Sequence, residues 1–446
     1  LTDLDCSTNL LVTLDLTANT ALVNLICDHN ALTSLTLSAA NTAIATVDCS
    51  FNKIANFVLT GHGTLTSLVI SDNTTFLQTL NCNGNALLAT LDISNNSALY
   101  DLDCSSNALT GLVLTTTTGL TDLDCSTNQI GTGLDLTANN ALINLDCSSN
   151  LLETLTLDAD NVAVTTIDCS DNKFASNSLD APVAYCTSLK YLDCNANLLT
   201  DLSLTDNNAL ITLDCSSNLL ETLTLEADND AVTTIDCSSN SFNGTLTISG
   251  LAILATLDAS DNGSMTTLDC NDNAIATLTL TDNDALTTLD CSSNSLAGSA
   301  LTLTTNTALT TLDCSSNSLT GLTLTPNVDL ITLDCHDNNI TTLDLHLLVD
   351  LTAVNCSDNA LQTMDIQNGF NTNIAGGDFD ARTNGSLTCI QVDNVTYSNA
   401  TWTQKDGTST YSVTCAIPIP VSNWAVYLGI FLIATFMVFR YKSRLA

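Results

Sequence analysis

Cysteine and aspartate are the residues whose types and spacing in this chain could support chemistry. Sixteen of the 19 cysteines form a register in which most steps are 21 or 22 residues. The register consists of Cys6, Cys27, Cys49, Cys82, Cys104, Cys125, Cys147, Cys169, Cys194, Cys215, Cys237, Cys270, Cys291, Cys314, Cys335 and Cys356. Thiolates in such number could hold metal ions or carry electrons. However, these spacings match no zinc motif, and no histidine cluster accompanies them.

A structural role explains the cysteines better. Thiols stacked in register point in the same direction, which is poor geometry for disulfides between neighbouring coils. Ile70 and Ala259 occupy the same slot, which suits a small apolar filler. The sequence therefore predicts a ladder of buried, reduced thiols. Its representative members are Cys104, Cys125, Cys147, Cys169, Cys215 and Cys237. Cys186 lies outside the register, and no partner is predicted for it.

An aspartate directly precedes most register cysteines. These residues are Asp5, Asp48, Asp103, Asp124, Asp146, Asp168, Asp193, Asp214, Asp236, Asp269, Asp290, Asp313 and Asp334. If the leucine and cysteine beside each of them point inward, the aspartates point outward in one column. Carboxylates about 5 Å apart repel each other by roughly 0.8 kcal/mol per pair in water.

Two interpretations of the aspartates remain open. Ca²⁺ could bridge the carboxylates, since it accepts irregular sets of oxygen ligands. Alternatively, the column is a solvated acidic face that salt screens. Under the first interpretation, the candidate metal ligands are Asp103, Asp124, Asp146, Asp168, Asp214 and Asp236.

Composition restricts the possible functions. The chain has 47 acidic and 8 basic residues, for a net charge of −39, which disfavours nucleic acid and anionic lipid as partners. With 45% hydrophobic and only 12% charged residues, the chain can nevertheless build a core, and that core must be aliphatic because only 4% of residues are aromatic. No nucleophile–base set or phosphate-binding loop stands apart from the repeat, so the sequence predicts a non-enzyme.

Nested repeats position these residues. The phrase Leu102-Asp103-Cys104 and its equivalents alternate, about eleven residues later, with a related phrase such as Leu14-Asp15-Leu16. Two steps, Cys49 to Cys82 and Cys237 to Cys270, are 33 residues long, which corresponds to three half-units. The alternation predicts short strands with an inward leucine, and the asparagine three positions after each cysteine predicts a turn. Stacked coils would align these asparagines in a ladder. No amphipathic helix is predicted in residues 1–368.

This pattern resembles the leucine-rich repeat of the short nested bacterial class, sometimes called the IRREKO type, over about residues 1–368. The resemblance implies an all-β solenoid with a parallel β-sheet, in a protein that acts as a binding or adhesion scaffold. The two 33-residue steps depart from the family pattern. How one face continues past them stays open.

The composition changes near Gly369, where the leucine repeat stops and aromatic residues appear. Residues 369–415 resemble the cap that ends related surface repeat proteins of Gram-negative bacteria, which implies a small β cap. The resemblance further implies that a disulfide between Cys389 and Cys415 closes this cap. The alternative is two free buried thiols.

Residues 416–446 have a three-part layout: a Pro-containing linker (416–423), a hydrophobic helix (424–439) and a basic tail (440–446). The layout resembles the sorting tails recognised by exosortase-like transpeptidases. The residues that carry it are Pro420, Ser422, Trp424, Arg440, Lys442 and Arg444. The helix spans roughly 24 Å, short for a hydrocarbon core of ~30 Å. The tail could be a cleaved sorting signal. The alternatives are a permanent membrane anchor and a helix that packs within an assembly.

The sequence thus predicts a non-enzymatic leucine-rich-repeat protein on the surface of a Gram-negative bacterium. Its function would be adhesion, or binding of a protein or glycan ligand. The alternative is a structural subunit of an extracellular filament, in which identical chains assemble head to tail. Calcium is the only cofactor considered, and nucleic acid is excluded as a partner.

Overall fold

The computed structural model describes residues 1–131 and 133–415, which form short strands stacked in a solenoid of about 19 turns. The strands of the first half are β1 (Asp3–Asp5), β2 (Thr13–Asp15), β3 (Asn24–Ile26), β4 (Ser34–Thr36), β5 (Thr46–Asp48), β6 (Asn56–Val58), β7 (Ser67–Val69), β8 (Thr79–Asn81), β9 (Thr90–Asp92), β10 (Asp101–Asp103), β11 (Asp122–Asp124), β12 (Leu134–Asp135), β13 (Asn144–Asp146), β14 (Leu155–Thr156), β15 (Thr166–Asp168), β16 (Ala175–Ser176), β17 (Tyr191–Asp193) and β18 (Leu198–Leu199). Those of the second half are β19 (Asp201–Ser203), β20 (Thr212–Asp214), β21 (Thr222–Thr224), β22 (Thr234–Asp236), β23 (Thr245–Thr247), β24 (Thr256–Asp258), β25 (Thr267–Asp269), β26 (Thr277–Thr279), β27 (Thr288–Asp290), β28 (Ala297–Gly298), β29 (Thr311–Asp313), β30 (Ser318–Leu319), β31 (Thr332–Asp334), β32 (Thr342–Asp344), β33 (Ala353–Asn355), β34 (Thr363–Asp365), β35 (Phe379–Asp380), β36 (Cys389–Gln391) and β37 (Thr410–Ser412). The helical elements are α1 (Asp180–Ala184), α2 (Val395–Thr401) and a 3-10 turn at Asn371–Asn373.

The main strands alternate between two faces of the solenoid. The front face comprises an eleven-stranded sheet, in the order β26-β24-β22-β20-β17-β15-β13-β11-β10-β8-β6, together with β2, β4, β32, β34, β36 and β37. The back face comprises the sheets β1-β3-β5-β7-β9 and β23-β25-β27-β29-β31-β33-β35, together with β12, β14, β19 and β21. The strands pair in parallel, and one core of leucine, isoleucine and cysteine side chains lies between the faces. The predicted fold class, an all-β leucine-rich-repeat solenoid with parallel sheet, is confirmed.

A typical strand has three residues, which alternate between solvent and core. In β11, Leu123 is 3% exposed, whereas Asp122 and Asp124 on either side of it face outward. The next residue, Cys125, points inward again and is fully buried. Because apolar and polar residues alternate along the strand, each strand has an apolar side towards the core and a polar side towards solvent.

The predicted asparagine ladder is present and ties consecutive coils together. The Nδ2 of Asn128 donates to the carbonyl oxygens of Cys104 (3.0 Å) and Cys125 (3.1 Å). Its Oδ1 accepts from the backbone N–H of Leu109 at 3.0 Å. The preceding residue, Thr127, adopts a left-handed conformation with φ of 52°. That conformation costs about 1 kcal/mol, which the hydrogen bonds between coils offset.

The 33-residue steps move the cysteine phrase from one face to the other. The phrase follows back-face strands up to Cys49, front-face strands from Cys82 to Cys237, and back-face strands again from Cys270. Three half-units amount to an odd number of half-turns, so the same phrase emerges on the opposite side. The prediction that the aspartates form one column was therefore wrong.

Ile70 and Ala259 do continue the cysteine stacks, as predicted. Ile70 follows strand β7, which pairs with the strand before Cys49 on the back face. Ala259 follows β24, which pairs with the strand before Cys237 on the front face. Both side chains are fully buried. Each stack therefore continues past its last cysteine with an apolar residue.

Helix α1, which buries one side, contradicts the expectation that residues 1–368 contain no amphipathic helix. It lies in the coil between Cys169 and Cys194, where the step lengthens to 25 residues, and the extra residues wind into a helical turn instead of a back-face strand. Pro182 and Val183 are buried. Pro182 lies in the first turn of the helix, where the missing N–H is tolerated.

Residues 369–415 continue both faces instead of forming a detached layer. Strand β35 pairs with β33, β36 with β34, and β37 with β36. Trp402 stacks on Phe379 with ring centroids 4.3 Å apart, and the Tyr411 hydroxyl donates to the Trp402 carbonyl at 2.8 Å. A domain boundary at residue 368 stays a prediction. The predicted hydrophobic helix, residues 424–439, lies outside the described residues.

Candidate binding face

The front face carries a continuous column of aspartates, each at the third position of its strand. We call it the acidic column. Parallel register aligns its members, which are Asp103, Asp124, Asp146, Asp168, Asp193, Asp214, Asp236 and Asp258. All six predicted calcium ligands belong to it. Asp269, Asp290, Asp313 and Asp334 form a second, separate row on the back face.

The local sequence holds each carboxylate in place. The Oδ1 of Asp124 accepts from the backbone N–H of Ser126 at 3.0 Å and from its hydroxyl at 2.6 Å. The same pair of bonds joins Asp146 to Ser148. The serine of the repeated Asp-Cys-Ser phrase therefore fixes the aspartate as a turn-stabilising acceptor. This role was not predicted from the sequence, although the constant two-residue spacing between aspartate and serine indicates it.

A shallow groove of about 420 Å³ lies over β10, β11, β13 and β15, at the N-terminal end of the acidic column. Its carboxylates are Asp101, Asp103, Asp122, Asp124, Asp146 and Asp168. Partial burial raises the pKa of Asp101, and the charges of Asp122 and Asp103 raise it further. The groove is thus a place where negative charge is concentrated by folding.

Asp193 is a half-buried member of the acidic column, and its pKa lies above the ordinary value for an aspartate. Burial raises its pKa to about 6, and the charges of Asp214 and Asp168 add to this effect. Hydrogen bonds from the backbone and side chain of Asn195 act in the opposite direction. The pKa of Asp313 on the back face is raised for the same main reason, burial.

Among the residues that the structure describes, no cationic side chain pairs with the acidic column. Over residues 1–131 and 133–415, the ion pairs are His29–Asp28, His336–Asp334, His346–Asp344 and Arg382–Asp380, none of which involves the column. In the same residues, no three His, Cys, Asp or Glu side chains are grouped so as to hold a metal ion. Calcium binding by the column stays a prediction.

The predicted cysteine ladder lies directly behind the acidic column, on the core side. Cys169, Cys215 and Cys237 are fully buried, and their thiols donate to carbonyl oxygens of the next coil at 3.3–3.4 Å. Burial raises the pKa of Cys104 and Cys147 well above the ordinary thiol value. The thiols therefore pack as small apolar groups, and some of them add a weak hydrogen bond to a carbonyl oxygen of the next coil.

Cys186 occupies a slot that asparagine fills in neighbouring coils. Asn207 of the next coil donates to the carbonyls of Val183 and Cys186, just as Asn229 donates to those of Leu204 and Asn207. Burial raises the pKa of Cys186 to about 12. Cys186 therefore has a structural role: it fills one position of the asparagine ladder, although the sequence suggested no partner for it.

His336 replaces the serine of the Asp-Cys-Ser phrase, and His346 stands where the second phrase has a residue such as Thr17. The Nδ1 of His336 lies 2.7 Å from Asp334 Oδ1, and that of His346 lies 2.6 Å from Asp344 Oδ1. These contacts repeat the Ser–Asp geometry described above. Each of these histidines therefore has a structural role, in which it stabilises the turn by its contact with the aspartate two residues before it.

The structure joins Cys389 to Cys415 by a disulfide, with 5.8 Å between their Cα atoms. The candidate anchor or sorting residues Pro420, Ser422, Trp424, Arg440, Lys442 and Arg444 lie outside the described residues. Among the residues that are described, no helix is both long and apolar enough to cross a membrane.

No protein-family model matches this chain, and no curated protein sequence does. Among solved structures it is similar to the functional domain of InlJ from Listeria monocytogenes, which includes a cysteine ladder: 28% identity, 82% of this chain and 74% of the other, TM-score 0.42. It is also similar to YopM from Yersinia enterocolitica (22% identity, 81% and 88%, TM-score 0.35) and to a leucine-rich-repeat protein of Leptospira interrogans (19%, 76% and 91%, TM-score 0.35). The fold assignment above rests on strand register, independently of these likenesses.

Proposed function

We propose that this chain is a non-enzymatic, cell-surface binding or adhesion protein whose front face recognises a protein or glycan ligand. The observation that carries the proposal is the acidic column, which crosses an unbroken sheet and has no ion-pair partner within residues 1–131 and 133–415. Serine or asparagine donors hold most of its carboxylates in place, so little conformational entropy is lost on binding.

The charge of the column indicates the chemistry of the ligand. Carboxylates spaced about 5 Å apart can pair with lysine and arginine side chains of a protein. A glycan could donate hydrogen bonds from its hydroxyls to the carboxylates directly, or Ca²⁺ could bridge the two. The groove over β10 to β15 offers the concave part of this surface.

Residues 416–446 concern the location of the protein. We propose that the solenoid lies outside a Gram-negative cell and that these residues act as an anchor or a sorting signal. The motif residues Pro420, Ser422 and Trp424 and the basic end support this role through the sequence alone.

The test compares two variants with the same loss of charge. The front variant replaces Asp103, Asp124, Asp146 and Asp168 with Asn, and the control replaces the back-face residues Asp269, Asp290, Asp313 and Asp334 with Asn. The purified wild-type chain is screened on protein and glycan arrays, with Ca²⁺ and with a chelator. Affinities for the targets it binds are then measured for both variants.

We expect the front variant to bind at least tenfold more weakly and the control to bind as the wild type does. Equal weakening in both variants would show that only net charge matters, which contradicts a front-face site. Absence of any target on the arrays would also count against the proposal.

A further inference from the structure

An asparagine that is followed by glycine can react with its own backbone. The glycine nitrogen bonds to the side-chain carbonyl carbon of the asparagine, the amide nitrogen leaves with the glycine proton as ammonia, and a succinimide ring forms. Water then opens the ring to aspartate or isoaspartate. Glycine favours the reaction because it has no side chain in the way and its backbone is free to bend. The chain contains five such pairs: Asn83-Gly84, Asn243-Gly244, Asn262-Gly263, Asn368-Gly369 and Asn384-Gly385.

The asparagine ladder protects the pairs at Asn262 and Asn384. Both side chains are fully buried. The Nδ2 of Asn262 donates to the Cys237 carbonyl at 3.2 Å, and its Oδ1 accepts from the Asn240 N–H at 3.1 Å. Asn384 is held in the same way, by an Nδ2 contact with a carbonyl and an Oδ1 contact with a backbone N–H. Neither amide can reach the following glycine nitrogen unless the coil opens.

In two further pairs the attacking nitrogen is occupied. The N–H of Gly84 donates to the Ser105 carbonyl at 3.0 Å, and the N–H of Gly369 donates to Asp393 Oδ2 at 2.7 Å. The amides of the asparagines that precede these glycines donate hydrogen bonds as well. Both pairs must therefore break hydrogen bonds before they can react.

The pair Asn243-Gly244 differs from the other four. Asn243 is exposed. Within residues 1–131 and 133–415, no hydrogen bond involves the Asn243 side chain or the Gly244 N–H. A methyl group added to the Cα of Gly244 would meet no heavy atom within 4 Å. Both reacting groups are therefore unoccupied and lie in open space.

A break in the back face explains this freedom. Gly244 directly precedes β23, the first strand of the seven-stranded back sheet, whereas β21 of the preceding coil belongs to a separate sheet with β19. The break coincides with the second 33-residue step. The Gly244 carbonyl accepts from the N–H groups of Thr266 and Thr267 at 3.0 and 3.1 Å. The pair is thus tied to the coil that follows it, at the edge where the sheet begins.

We propose that Asn243-Gly244 is a deamidation site, at which the folded chain converts Asn243 to isoaspartate and aspartate much faster than it converts the other four asparagines. Isoaspartate adds a methylene group to the backbone beside the Gly244 carbonyl, and either product adds a negative charge. The conversion therefore weakens the hydrogen bonds from Thr266 and Thr267 and loosens β23 at the edge of the back sheet.

Peptide mapping of the full chain tests the proposal. The chain is kept in warm, mildly alkaline buffer, folded in one sample and unfolded by urea in the other. Mass spectrometry with electron-transfer fragmentation then follows isoaspartate and aspartate at all five pairs over time. The matched variant is Gly244→Ala, for which the structure has room, and its folding is checked by thermal melting.

We expect position 243 of the folded chain to react at least about tenfold faster than each of the other four positions, because those must open first. In urea the five rates should be similar, and Gly244→Ala should slow the reaction at 243 severalfold. Equal rates at all five positions of the folded chain would overturn the proposal, as would protection of position 243 by folding.

Hydrogen exchange tests the structural consequence. In chain that carries isoaspartate at position 243, the amides of Thr266 and Thr267 should exchange severalfold faster than in fresh chain. The amides of Thr287 and Thr288, one coil further on, serve as the control and should be unchanged. Identical exchange at Thr266 and Thr267 in aged and fresh chain would refute the loosening of β23.

Discussion

At the scale of single residues, the ionisation of Asp193 makes the stability of the folded chain depend on pH. Its folded-state pKa of about 6 lies above its ordinary value of 3.8, so the folded chain holds this proton more tightly than the unfolded chain does. The resulting stabilisation is complete below about pH 3.8 and is lost as the pH rises through about 6.

We therefore expect Asp193→Asn to be more stable than the wild type at about pH 7.5, by about 1 kcal/mol after allowance for the exposed half of the carboxyl. The difference should disappear near pH 4. Thermal melting across this pH range measures it. The control is Asp135→Asn, because backbone and side-chain hydrogen bonds from Thr137 lower the pKa of Asp135. A gain at pH 7.5 in the control as well would contradict the assignment.

Asn128 shows how much one ladder residue contributes. Replacing it with alanine leaves the N–H of Leu109 without its acceptor. It also removes one of the two amide donors to each of the carbonyls of Cys104 and Cys125, which keep Asn107 and Asn150 respectively. A buried group left unpaired costs about 1–3 kcal/mol and a lost hydrogen bond about 1 kcal/mol, so we expect a loss of at least ~2 kcal/mol in urea unfolding. Asn9→Ala, in the exposed first coil, should cost clearly less. Equal losses would mean that burial does not set the strength of the ladder.

At the scale of elements, the cysteine stacks should behave as buried thiols. Burial raises the pKa of Cys27 to about 12, whereas Cys6 is only partly buried. Maleimide at neutral pH should therefore label Cys6 first in the native chain and the other free thiols only after denaturation. Quantitative mass spectrometry of the labelled peptides measures the order. Rapid native labelling throughout the stacks would rule out this packing.

The acidic column predicts a specific response to calcium. Folding brings its carboxylates together, so a cation bound between neighbouring coils stabilises the native chain by mass action. We expect millimolar Ca²⁺ to raise the thermal midpoint more than Mg²⁺, which keeps its water, and more than NaCl at equal ionic strength. The front variant should lose most of this effect. If NaCl reproduces all of it in the wild type, screening suffices and the column holds no calcium.

At the scale of the whole molecule, the two functional hypotheses predict different particles. About 19 turns at about 4.8 Å each give a rod roughly 90 Å long. The binding proposal expects separate rods of this length in negative-stain images of native material. Head-to-tail association would instead give long fibres, and their presence would favour the filament alternative over the adhesion role.

Several features followed from the sequence because they depend only on neighbouring residues. Alternation around residues such as Leu123 is enough to predict the strands, and the position of Asn128 is enough to predict the turn. Repetition then requires stacking, because one coil cannot bury its apolar face alone. The burial of Ile70 and Ala259 in the cysteine slot followed from the same pattern.

Only the tertiary structure shows on which face of the solenoid a residue lies and which residues of other coils surround it. The local sequence of a three-residue strand is the same on the front face and on the back face. Only the stacking of the coils therefore shows that Cys82 and Cys270 begin new cysteine stacks on opposite faces. The raised pKa of Asp193 needs its neighbours from adjacent coils, and the asparagine-like role of Cys186 needs the coil that follows. The path of residues 413–415 over the front face depends on two earlier coils, because Gln367 donates to the Val413 carbonyl and Gln391 accepts from the Cys415 N–H. These features arise from contacts between residues about twenty or more positions apart, which local sequence patterns do not encode.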